Sequence, residues 1–397
     1  MSARSRRTRQ LSAAFLLAAG TAFAAPDDDT LVREHCPREK IAEPQCIVDL
    51  WSRMDEIHAA RGVQKAAKPR ALKRADPAPD LELDSFLDNH RNTGLLVLKD
   101  DTILAERYQY GRTDTHRFAS ASVAKTVLGM LVGIAVHEHK IASIDDKVEK
   151  YLPELKGHVY GDVSIRHLLT MSSGVAFHED WSGSEGGGEA KGLLANTLHR
   201  KTEGGADAVR EFAKRASTPG TKWNYSSADS EVLALVLRAA VKKPLATYLS
   251  EKIWRPMGAE ANATWLLDKA GYETGFCCIN ATLRDYARFG MLLANYGVLD
   301  GKEIIPTEWV KAATRPEQAY LRVGAVSAFN GYGYQTWLTS REYSRFAAFG
   351  VGGQAIYVDP ASKLVVVHTA VWADPGDREE RGAQFKLWKY LLDKLSS

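Results

Sequence analysis

The chain has 397 residues, 45% hydrophobic, 25% charged and 9% aromatic. That is enough apolar material for one large domain or two ordinary ones, and it excludes a disordered, collagen-like or coiled-coil protein. The net charge is +3, but Arg4, Arg6, Arg7 and Arg9 all fall in the first 24 positions, where no acidic residue stands; the near-neutral remainder offers no reason to expect a nucleic-acid partner.

Residues 1–24 read as a signal peptide. Ser5–Arg9 is basic, Leu11–Phe23 is apolar, and Ala22-Phe23-Ala24 suits cleavage before Ala25. Arg6-Arg7 followed by Leu11 also resembles a twin-arginine signal, so the Sec and Tat routes stay open. The apolar run is too short to span a bilayer, which predicts an exported protein, periplasmic or secreted, with no membrane span after cleavage. In an oxidising compartment Cys36 and Cys46 can close a small disulfide loop, a pairing left open here. A bond between the neighbours Cys277 and Cys278 is strained, so two buried thiols are expected. No cysteine or histidine spacing makes a metal site, and His137-Glu138-His139 reads as the solvated end of a helix.

Residues 25–79 form an N-terminal extension and linker. Ile47 to Arg61 has helical spacing and ends at Gly62, whereas Gln64 to Pro79 is basic, rich in proline, and predicts a solvated connection. The main domain is placed at 80–397. Thr93–Lys99 and Thr102–Tyr110, split by Asp100-Asp101, predict an antiparallel hairpin. Ser122 to His137 predicts a long buried helix. Residues from about 150 to 290 read as mostly helical, interrupted by a Gly-rich loop at Gly183–Gly188 that is a flexible connection or a lid. Strands return at Gly333–Leu338, Ala355–Val358 and Leu364–Val371, before a helix from Arg381 to Leu395. The layout is α/β (α+β): a sheet assembled from both ends of the domain, helices on its faces, and a helical region inserted between.

The chemistry starts at Ser122-Val123-Ala124-Lys125. Positions i and i+3 share a helix face, so the Lys125 amine can lie beside the Ser122 hydroxyl. A buried lysine with a lowered pKa can take a serine proton. Downstream come Pro219-Gly220-Thr221-Lys222-Trp223-Asn224-Tyr225-Ser226-Ser227 and Ala348-Phe349-Gly350-Val351-Gly352-Gly353-Gln354. In this order the three segments resemble the serine, tyrosine and third boxes of the penicillin-recognising serine hydrolases, above all the class C β-lactamase-like branch with its esterases, DD-peptidases and 6-aminohexanoate-dimer hydrolases. Val148–Leu155, His167–Gly174 and Thr282–Gly290 extend the likeness over nearly all of 80–397.

The resemblance implies a β-lactamase/transpeptidase-like fold with an antiparallel sheet flanked by helices. It implies Ser122 as nucleophile, Tyr225 as base or proton shuttle with its pKa lowered by Lys125, and backbone N–H groups of Ser122 and Val351 as the oxyanion hole. No cofactor is implied. Ser227 stands where the lactamases carry Asn, and Ala348-Phe349-Gly350 lacks the cation that opens their third box. Esterase or amidase action is therefore expected ahead of β-lactamase or DD-peptidase activity. Glu179-Asp180-Trp181 and Gly353-Gln354 bring the chain closest in look to the 6-aminohexanoate-dimer hydrolases and related esterases. Trp181 replaces their tyrosine, which tilts the expectation to a small-molecule ester; it is a pocket residue or simple packing under the Gly-rich loop. Ser227, Gly350, Gly352, Gly353 and Gln354 complete the expected pocket, with Gln335 and Trp337 either lining it or in the core. A catalytically silent ligand-binding or self-assembling homologue is the competing reading from another class.

Overall fold

The structure, a computed structural model, describes residues 22, 23, 36, 40, 43–181, 188–342 and 344–396. Most of residues 1–24, and residues 183–187 of the Gly-rich loop, lie outside the described residues.

Both ends of the chain meet in one eight-stranded sheet. Its order is Gly331–Tyr332, Trp337–Leu338, Phe346–Phe349, Ala355–Asp359, Leu364–Ala370, Asn92–Lys99, Thr102–Tyr108 and Lys73–Arg74. Every pairing is antiparallel except that of Lys73–Arg74. The hairpin turns at Asp100, whose φ of 52° is a left-handed conformation that aspartate tolerates.

The period-two alternation of the strands divides the core. Leu95, Val97, Tyr357 and Val366 face the final helix through Leu387, Trp388 and Leu391. Leu96, Leu98, Ile356, Val365 and Val367 face the helical body. The principal helices are α1 (Pro44–Ser52), α2 (Val123–His137), α3 (Ser227–Val241), α4 (Leu283–Ala294) and α5 (Arg378–Leu395). α4 lies so close on the sheet that a Cβ at Gly290 would sit 2.5 Å from Val365 Cγ1. α2 is buried along nearly its whole length, and Gly133 lets Trp309 press against it: a Cβ there would meet Cδ1 of the ring at 2.2 Å.

The inserted region is less helical than its spacing predicts. Ala263–Leu266 and Ile279–Ala281 are strands of a second antiparallel sheet, with Phe118–Ala119 on one side and Ala60–Val63, then Ala22–Phe23, on the other. Runs of three or four residues are too short for periodicity to register. The same sheet redirects the expected Ile47–Arg61 helix. It ends at Ile57 after a break at Arg53, and Ala60–Val63 pairs with Ala263–Leu266 while Arg61 meets Glu273. Residues 64–79 are tethered as well: Ala66 N donates to Ala259 O at 3.0 Å and Arg70 N to Gly258 O at 2.8 Å.

Cys36 and Cys46 are joined in a disulfide at the start of α1. Cys277 and Cys278 are joined too, which corrects the expectation of two thiols. Cys278 takes a φ of 80°, and that turn of the backbone lets adjacent sulfurs meet.

Candidate active site

Ser122 is the N-cap of α2, and the residue before it, Ala121, has a φ of 43°, a strained conformation of the kind that clusters at functional sites. One turn on, Lys125 is 1% exposed. Its Nζ lies 2.8 Å from Ser122 Oγ, 3.1 Å from Ser227 Oγ and 2.8 Å from Phe276 O, so the amine is held at three points. Burial pulls its pKa down to about 8, against the opposing pull of Glu179 and Glu231.

Tyr225 reaches the same place from the loop before α3: it lines a hollow together with Ser122, and its ring lies 5.0 Å from Lys125 Nζ. Trp337 stacks on the phenol with centroids 5.3 Å apart, and Tyr332 meets it edge-on. The sequence therefore leads to three groups, two of them one turn apart and the third from a separate segment, that meet in one cleft. The expected lowering of the phenol is not what the structure gives. Burial pushes Tyr225 well above its usual value, and the negative Glu179 adds to this, so at neutral pH the phenol keeps its proton, while the same burial moves the Lys125 amine the opposite way.

Glu179 is the site residue whose part the sequence left unread. Its carboxylate accepts from Ser227 N at 2.8 Å, Ser227 Oγ at 2.7 Å and Trp181 Nε1 at 2.9 Å. Ser227 thus stands behind Lys125, linking it to Glu179. Trp181 is in the pocket wall with its N–H already occupied.

The third box closes the cleft from the sheet. A Cβ at Gly350 would lie 2.7 Å from Ser120 O, so glycine is what lets this strand end approach the segment carrying Ser122. Val351 flanks Ser122 in the cavity wall, and among the described residues the N–H groups of Ser122 and Val351 donate to no protein acceptor. Two free amides beside the Ser122 hydroxyl form the kind of donor pair that can hold a developing oxyanion. Gly352, Gly353 and Gln354 shape the back of this turn rather than the cavity: Gln354 Nε2 donates to Ala370 O at 2.6 Å and to Gly352 O at 3.2 Å. Gln335 is a core residue, bonded to Ser230 and Leu168, whereas Trp337 does line the cleft.

Two hollows open on either side of Ser122. One, of about 190 Å³, is lined by apolar groups that include Trp51, Met54, Phe276 and the Cys277–Cys278 pair. The other, of about 250 Å³, holds Glu179, Tyr225, Trp337 and Arg381. Arg381 supplies a cation from α5 where the third box has none, and its Nη2 donates to Gly350 O at 2.7 Å. Sequence spacing gives no hint of Arg381, Trp51 or Met54, because each enters the site from an element remote in the chain. Among the described residues no cluster of side chains could hold a metal ion.

The family described as Beta-lactamase matches residues 83–387. The chain belongs to that family. Its members share the β-lactamase/transpeptidase fold, and the chain is a serine hydrolase of that fold. It is 28% identical over 333 residues to the 6-aminohexanoate-dimer hydrolase of Paenarthrobacter ureafaciens, covering 79% of this chain and 85% of the relative. The solved structure named "Putative 6-aminohexanoate-dimer hydrolase from Bacillus anthracis" superposes with a TM-score of 0.78 at 25% identity, covering 88% of this chain and 95% of the other. EstCE1, a hydrolase with promiscuous acyltransferase activity, shares the fold at a TM-score of 0.60 and 17% identity, over 79% of this chain and 96% of its own.

Proposed function

We propose that the chain is an exported serine hydrolase that cleaves a small-molecule ester or amide through an acyl-enzyme on Ser122. The observation that carries this reading is the 2.8 Å approach of Lys125 Nζ to Ser122 Oγ, with the amine drawn down to about 8 by burial. Neutral Lys125 takes the hydroxyl proton as Ser122 Oγ attacks the carbonyl carbon. The oxygen of the tetrahedral adduct becomes negative against the N–H groups of Ser122 and Val351. Collapse breaks the bond to the leaving group, which receives a proton from Tyr225, and Lys125 restores the phenol. Water then attacks the acyl carbon by the same route in reverse roles and frees Ser122. Ester cleavage is favoured over amide because Trp181 brings no hydroxyl to an amine leaving group and spends its N–H on Glu179. Export is supported by the leader composition and by the Cys36–Cys46 bridge.

One observation favours a second reading, hydrolysis of a carboxylate-bearing β-lactam or peptide: Arg381 lines the hollow that holds Tyr225 and could meet a carboxylate. A fluorophosphonate probe tests the common chemistry. Purified mature protein is expected to be labelled at Ser122, and Ser122→Ala to be silent; equal labelling of the two would end the hydrolase reading. Turnover of short p-nitrophenyl esters alongside nitrocefin then ranks the two substrate classes.

A further inference from the structure

The extension ahead of the matched family region builds part of the cavity beside Ser122. Trp51 is the next-to-last residue of α1, and Met54 follows one turn later. Both line the apolar hollow, across from Trp181, Phe276 and the Cys277–Cys278 pair. The Trp51 ring also reaches the turn after the oxyanion donor: a Cβ at Gly352 would lie 3.5 Å from Trp51 Cη2.

This segment is fixed to the body at several independent points. Asp55, with its side chain 2% exposed, accepts from Arg117 Nε at 2.6 Å and Thr264 Oγ1 at 2.8 Å. Leu267 N donates to Ala59 O at 2.8 Å, and Ala60–Val63 pairs in register with Ala263–Leu266. At the other end the Cys36–Cys46 bridge ties α1 to the chain before it. A side chain held between such anchors presents a fixed wall to whatever enters.

The two hollows divide the substrate. A leaving group must lie where its proton donor can reach it, and Tyr225 borders the hollow with Arg381 but not the apolar one. The apolar hollow is left for the acyl portion. At about 190 Å³ it holds a chain on the order of six methylenes, taking each as roughly the 30 Å³ share of a water.

The geometry points to Trp51 and Met54 as specificity residues that close an acyl pocket for an apolar chain of medium length, so that the N-terminal extension is part of the substrate site. This rests on the proposed acyl-enzyme on Ser122. Each methylene that enters the pocket raises kcat/KM by about fourfold, until the wall at Trp51 or Met54 stops it.

The test varies the acyl chain from two to twelve carbons in p-nitrophenyl esters, with the leaving group constant, for the wild type, Trp51→Ala, Trp51→Phe and Met54→Trp. Fluorophosphonate labelling counts the folded, reactive sites in each preparation. Trp51→Ala is expected to move the optimum two or more carbons longer and to improve the longest esters at least tenfold relative to the shortest. Met54→Trp is expected to move it shorter. Trp51→Phe, the variant least able to disturb folding, is expected to keep the wild-type optimum within one carbon. A fall by one common factor across all chain lengths would mean that the segment only supports the fold, and the inference would be lost. So would chain-length dependence that follows the alcohol portion of acetate esters and not the acyl portion. Wild type that is not labelled at Ser122 removes the hydrolase reading itself; labelled wild type with profiles unmoved in Trp51→Ala and Met54→Trp removes this inference alone.

Discussion

Lys125→Met tests the assignment of the base most directly, because it removes the amine while keeping a straight side chain of similar length. In the folded protein the lysine pKa falls from 10.5 to about 8, and each unit corresponds to 1.36 kcal/mol. The folded state therefore disfavours the charged amine by about 3 kcal/mol. The sign follows from proton binding: between pH 8 and 10.5 the unfolded chain holds the lysine proton that the folded chain has lost, so this group makes stability rise with pH across that window. Below pH 8 the full penalty is present. Urea denaturation of both proteins at half-unit steps from pH 7 to 10.5 is expected to show the wild type gaining about 3 kcal/mol on Lys125→Met. In the same preparations kcat/KM of the wild type should climb with pH through a midpoint near 8, and the variant should lose ~10²-fold or more. Stability curves that stay parallel, with wild-type activity flat from pH 7 to 9, would refute a lysine poised by burial.

Two further substitutions separate the partners of the amine. Tyr225→Phe is expected to lower kcat by ~10²-fold on alkyl esters, and less on p-nitrophenyl esters, whose leaving group departs without a proton; steady-state kinetics on both classes reads this, and near-normal alkyl turnover would show Lys125 returning the proton unaided. Glu179→Gln removes the negative charge that holds the Lys125 pKa up, so the midpoint of the pH–rate profile should move to lower pH. Its plateau should fall about tenfold, the worth of one charge-assisted hydrogen bond of about 1.5 kcal/mol. A midpoint that moves upward would show that Glu179 does not act on the amine by its charge.

The sequence by itself determined the local pieces. The Ser122–Lys125 spacing placed hydroxyl and amine on one face of α2, the apolar, β-prone runs Thr93–Lys99 and Leu364–Val371 marked buried strands, and the order of three boxes carried the fold. Such features repeat within a few residues, where backbone geometry links spacing to position. What only the tertiary structure decided depends on groups meeting across the chain. The direction of the Tyr225 shift turns on burial and on Glu179, not on the nearby Lys125. Ser227 proves to be a bridge because Glu179 lies behind it. Cys277 and Cys278 join because the backbone turns at Cys278. Arg381, Trp51 and Met54 reach the cleft from the two ends of the chain, and no local pattern encodes that, because desolvation and contact are properties of the packed whole.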